Sequence, residues 1–174
     1  MSQSLQTKGR STVPNYLTTD KSARQTVFEG MELLPKGLQP FVMQRLEVAL
    51  GKGWPQEVIS RFPEWRPEQN GKFSLDTQKL LKIMERLWND AFRDVLDRTH
   101  RSIVNELVDV RNKLAHDGKF SYDDAERALD SMRRLLEAVS AGQSAEEIGK
   151  MRDTILRTKY RELARSEERK SNVS

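Results

Sequence analysis

A chain of 174 residues is long enough to bury one core with tails to spare, and 36% hydrophobic against 32% charged residues suits helices with broad solvated faces rather than a deep sheet sandwich. The absence of cysteine excludes disulfides, thiol nucleophiles and thiolate metal sites, and with His100 and His116 far apart a protein-built metal site is disfavoured, so neither metal nor cofactor is expected. A net charge of +4 permits a nucleic-acid partner without demanding one.

Residues 1–20 are rich in Ser, Thr and Gln, too polar to repay the cost of ordering, and are expected to form a flexible tail. They hold no hydrophobic run of the kind a secretion signal needs. No stretch of the chain reaches the apolar length of a membrane span, so a cytoplasmic protein with no membrane partner is expected. From Lys21 the pattern becomes helical: Val27, Met31 and Leu34 share a face. Pro35-Lys36-Gly37 predicts a break before a second helix through Leu38, Val42, Leu46 and Leu50, ended by Gly51 and Gly53. Residues 54–73 carry three prolines after Trp54 and read as a loop excursion with one short helix over 56–61. Its Trp54, Phe62 and Trp65 are expected to anchor it on the helices, the alternative being a base-stacking role.

Leu80, Met84, Leu87, Ala91 and Val95 then predict one amphipathic helix from Ser74 to about Leu96. Ile103, Leu107, Val110 and Leu114 predict another from about Arg98 to His116. Ala125, Ala128, Leu129, Met132, Leu135, Leu136 and Val139 predict a third, opened by Ser121 with Asp124 in a near capping box. Ser144-Ala145-Glu146-Glu147 is expected to cap a last helix reaching about Arg165. Short polar links favour antiparallel neighbours, so the expected fold is an all-α antiparallel helical bundle over 21–156, followed by a basic helical extension and tail over 157–174.

Advancing about 100° per residue along the helix to His116 gathers Ile103, Leu107, Val110 and Leu114 into about one sixth of the circumference. Asn105, Asp109, Asn112 and His116 cluster opposite, with Arg111 between the two faces. A plain structural reading accounts for RNKLAHDG: cations favour the negative end of a helix, and Gly118 is placed to end it in a left-handed conformation. The catalytic reading makes His116 and Arg111 a proton-transfer and phosphate-bracing pair.

The run from Trp88 to Val139, with Arg111-Asn112-Lys113-Leu114-Ala115-His116 at its centre and a following helix opening at FSYDDAERALD, resembles the HEPN superfamily of toxin and antiviral helical domains. It looks most like the branch fused ahead of large ATPase or helicase modules in bacterial defence systems. GLQPFVMQRLEVALG resembles that branch's first helix, and the resemblance covers roughly residues 25 to 155. It implies a homodimer in which two Arg-His motifs form one composite cleft for metal-independent RNA cleavage. Imidazole, the side chain that exchanges protons near neutral pH, would be general acid or base at His116, Arg111 would brace the phosphoryl oxygens, and Asn112 would orient the phosphate or the imidazole. Glu106 and Asp109 are candidate acidic helpers. RNA, an antitoxin or an ATPase module are the implied partners. The alternative is a non-catalytic dimerisation or nucleic-acid-sensing module of a larger ATPase-type defence protein.

Residues 150–170 carry eight Lys or Arg against four Asp or Glu. Arg157, Arg161, Arg165 and Arg169 recur every four residues, a stripe whose like charges repel unless a polyanion lies along it. The candidate RNA-binding residues are therefore Arg157, Arg161 and Arg165; an ordinary solvated tail is the competing reading.

Overall fold

The structure, a computed structural model, describes residues 15–66 and 74–173. Six α-helices and one π-helical turn follow in order: α1 (Asn15–Leu50), α2 (Trp54–Arg61), α3 (Thr77–Arg86), the π turn (Trp88–Phe92), α4 (Arg98–Ala115), α5 (Tyr122–Ala138) and α6 (Gly142–Ser171). The expected all-α bundle is what the chain forms. The expected tail falls outside the described residues as far as Pro14, and α1 already begins at Asn15, inside the expected 1–20 boundary. Pro67 and Gly71 of the expected excursion also lie outside the described residues.

The break expected at Pro35 does not occur, because α1 is one helix containing both Pro35 and Pro40. Proline has no N–H, so Pro35 leaves the carbonyl of Met31 without its helical donor. The hydroxyl of Thr77, at the start of α3, donates to that carbonyl at 2.6 Å in a buried position. Another helix thus supplies the bond that the proline removes. Its buried face, Val27, Met31, Leu34, Leu38, Val42 and Leu46, is then one uninterrupted stripe.

Gly37, expected to break the helix, instead admits a close neighbour: a Cβ there would sit 2.5 Å from Leu136 and 3.1 Å from Ser144. Gly30 approaches Leu129 and Met132 in the same way. Together these contacts lay α1 parallel to α5. α4 and α6 flank α5 antiparallel to it, held by Glu106 to Arg127 and Lys113 to Asp124 on one side and by Arg152 to Glu126 on the other.

The single helix expected from Ser74 to Leu96 divides. Asp76 caps α3, and the π turn closes with Arg93 N–H donating to Trp88 O at 2.9 Å, five residues back. The extra residue moves the inward face on by one, so Leu96 is buried at 6% exposure while the expected Val95 stands 47% exposed. The guanidinium of Arg45 donates to Ala91 O at 2.9 Å, satisfying a carbonyl of the turn. Trp54, Phe62 and Trp65 anchor the excursion as expected: Phe62 is fully buried and stacks on Trp65 with ring centroids 3.9 Å apart.

All seven apolar residues expected of α5 are buried, behind the Ser121–Asp124 capping box. α6 departs from expectation at both ends. It starts at Gly142 with no side-chain cap, leaving Ser144 buried against α1, and it runs on to Ser171.

Thr77→Val keeps the shape of the side chain and strands the Met31 carbonyl. It is expected to cost about 1–3 kcal/mol, read as a lower urea midpoint at constant slope; an unchanged midpoint would show that α1 does not depend on this bond.

Candidate active site

α4 carries the site and is fixed at both ends. At its start the Asp97 carboxylate accepts the His100 N–H at 3.1 Å, and His100 Nδ1 accepts the Asp97 N–H at 3.2 Å, closing a capping box. One of the two histidines is thus committed to structure. Of the expected inner stripe, Ile103, Leu107 and Leu114 are buried and Val110 is half-buried, while Val104 and Val108, not expected there, are buried beside them.

The far end is built differently from expectation. Asp117, not Gly118, takes the left-handed conformation, with φ 54°, and Gly118 N–H reaches back to Lys113 O at 2.9 Å. Gly118 is needed for space, since a Cβ would lie 2.2 Å from Lys113 Cγ and 2.9 Å from the Lys113 carbonyl. Over this turn lies Arg24 of α1, whose guanidinium donates to Leu114 O at 2.7 Å and Gly118 O at 3.0 Å and pairs with Asp117 at 3.3 Å. A cation clamped on the last carbonyls of α4 offsets the negative end of the helix and holds the residues around His116. Nothing local in the sequence marks Arg24 for this role.

His116 is the C-cap residue and is exposed; its backbone N–H donates to Asn112 O at 3.2 Å. Asn112 and Arg111 are half-buried. The Arg111, Asn112 and His116 side chains make no hydrogen bond or ion pair among the described residues, in a molecule where neighbouring Lys113 pairs with Asp124 at 3.5 Å. Five helical steps separate Arg111 and His116 by about 140° around α4. Arg111 lines a groove of about 290 Å³ between α1, α3 and α4, and His116 is not among its walls. Within one chain no hydrogen bond joins the two side chains.

Of the candidate helpers, Glu106 is engaged by Arg127 and by the Ser131 hydroxyl, whereas Asp109 is exposed with no partner among the described residues. Arg157, Arg161 and Arg165 stand exposed on α6, which packs on α5 and α1. Arg157 touches Thr154, and Arg165 pairs weakly with Glu162. α5 links the two sites at its start. Lys159 of α6 pairs with Asp123, and Lys113 of α4 pairs with Asp124, whose carboxyl the Ser121 N–H holds below the usual aspartate range. Beyond Lys159 the last turns of α6, about 18 Å long at 1.5 Å per residue, run on with only Glu162 half-buried, past the same end of the bundle as His116.

A family model described as Swt1-like HEPN matches residues 29–140, well over half of the chain. The chain belongs to the Swt1-like HEPN family. The match takes in most of α1, the π turn and all of α2 to α5, so the HEPN domain proper includes Arg111, Asn112 and His116, and the arginines of α6 lie outside it. No curated protein and no solved structure matches the chain. Among the described residues no helix is long and apolar enough to cross a membrane, and no group of three or more His, Asp or Glu is arranged to hold a metal ion.

Gly118→Ala forces a methyl against the Lys113 carbonyl and is expected to destabilise the HEPN domain by about 1–3 kcal/mol, with faster amide exchange over 115–118. Unaltered exchange would mean that the turn tolerates a side chain.

Proposed function

We propose that this HEPN domain is a metal-independent endoribonuclease of a bacterial toxin or antiphage defence system, its active site completed when two copies pair. The observation that carries the reading is the unengaged state of Arg111, Asn112 and His116 at the clamped end of α4, while His100 and Glu106 are taken up by structural bonds. Side chains held in place yet left unbonded are what a binding or catalytic site requires.

The separation of Arg111 from His116 in one chain supports the pairing. Two copies meeting along this end of α4 assemble two imidazoles and two guanidiniums around one phosphodiester. One His116 takes the proton of the ribose 2′-hydroxyl as its oxygen bonds to phosphorus; the other delivers a proton to the departing 5′-oxygen as that P–O bond breaks, leaving a 2′,3′-cyclic phosphate and a 5′-hydroxyl. A lone imidazole cannot serve as base and acid at the same instant. Arg111 stabilises the charge building on the non-bridging oxygens, and Asn112 orients phosphate or imidazole. Arg157, Arg161 and Arg165, at the same end of the bundle, track the RNA backbone with salt-dependent affinity.

The second reading is a dimerisation or nucleic-acid-sensing module ahead of an ATPase or helicase module. It is favoured by the exposed basic turns of α6 beyond the family match. RNA incubated with the protein in EDTA separates the two. The expected result is cleavage to cyclic-phosphate ends, reduced at least 100-fold by His116→Ala, in line with the usual worth of a general acid–base group. Cleavage that survives the substitution removes His116 from the chemistry, and RNA bound but never cut favours the sensing module.

A further inference from the structure

The groove beside Arg111 has more on its walls than a phosphate contact needs. α1 and α4 are tied together where Arg24 holds Leu114 and Gly118, and α3 is tied to α1 by the Thr77 bond, so the three helices enclose an open wedge. Met31 and Leu114 line it, and Phe28 of α1 stands in it with 48% of its surface exposed. The rings of Phe62, Phe92 and Phe120, by contrast, are buried. Glu32 from α1 and Gln78 from α3 add a carboxylate and an amide, neither bonded to a described residue.

An aromatic face, a hydrogen-bonding edge and an unpaired guanidinium in one cleft match the parts of a single nucleotide: base, base edge and phosphate. A volume of about 290 Å³ suits one ring system and not a duplex. A carboxylate accepts from the exocyclic amino group of adenine, cytosine or guanine. It is repelled by the two carbonyl oxygens that flank the single N–H of uracil.

We propose that this groove is a base-specificity pocket that takes one unpaired amino-bearing nucleobase beside the phosphate held by Arg111, with Phe28 stacking on its face and Glu32 and Gln78 bonding its edge. The assignment rests on the ribonuclease reading and adds a preference that the Arg-His motif does not supply. Cleavage falls next to an unpaired A, C or G and is poor in runs of U.

The test is binding of short single-stranded oligo(A), oligo(C) and oligo(U) to the full chain carrying His116→Ala, which keeps the RNA intact. Oligo(A) and oligo(C) are expected to bind about 10-fold tighter than oligo(U). Phe28→Ala should weaken oligo(A) and oligo(C) about 10-fold, the scale of one lost stacking contact. Phe28→Leu, which keeps an apolar side chain for the fold, should show a similar loss, and Glu32→Gln should remove the preference while binding persists. Equal binding to all three RNAs, where the unsubstituted protein cuts RNA through His116, overturns the pocket and leaves the nuclease standing. No RNA binding overturns both. Unchanged affinity in Phe28→Ala together with a halved solution mass assigns Phe28 to the contact between copies and also overturns the pocket.

Discussion

Pro35 withdraws one hydrogen bond from the longest helix of the molecule, and the Thr77 hydroxyl, arriving from α3, returns it at 2.6 Å. On that exchange depends the continuity of α1, the helix that packs on every other. A kink at Pro35 would swing the first half of α1 away from α4. Arg24 would leave the carbonyls of Leu114 and Gly118, and Phe28 would leave the wedge beside Arg111. The same bond that keeps α1 continuous also sets the first turn of α3 against it, which makes the third wall of that groove.

The C-terminal end of α4 inherits its order from this arrangement. Its carbonyls are satisfied by Arg24 from outside and by Gly118 from within, so His116 occupies a defined capping position rather than a frayed end. The neighbouring charges are balanced in pairs, Lys113 with Asp124 and Lys159 with Asp123, and Asp123 raises the basicity of Lys159. These pairs stiffen the surroundings and leave Arg111, Asn112 and His116 unengaged. They also hold α6 where its basic last turns overhang that end.

What could be read in the sequence divides by the distance over which each signal acts. α5 was legible throughout because its cap, Ser121 with Asp124, and its seven inward residues are all local patterns. Arg111, Asn112 and His116 stand out in the sequence for the same reason, being one contiguous motif, and the structure leaves their side chains unengaged. The break expected at Pro35-Lys36-Gly37 failed because its remedies come from elsewhere, the Thr77 hydroxyl for the proline and the close approach of Leu136 for the glycine. The π turn is silent in the sequence since a step of five leaves no mark in a period of 3.6, except that Leu96 replaces Val95 at the core. The Arg24 clamp and the groove between Phe28, Gln78 and Arg111 join residues far apart in the chain, so no periodicity announces them.

The account turns on whether two copies share one cleft, and mixing subunits addresses that directly. A fixed amount of wild-type protein is exchanged with a growing excess of His116→Ala, and RNA cleavage is followed. A shared cleft that needs both imidazoles is expected to lose activity until almost none remains, as wild-type chains become trapped in mixed pairs. Cleavage that stays proportional to the wild-type protein present, whatever the excess, would show that each chain acts alone and would contradict the composite site.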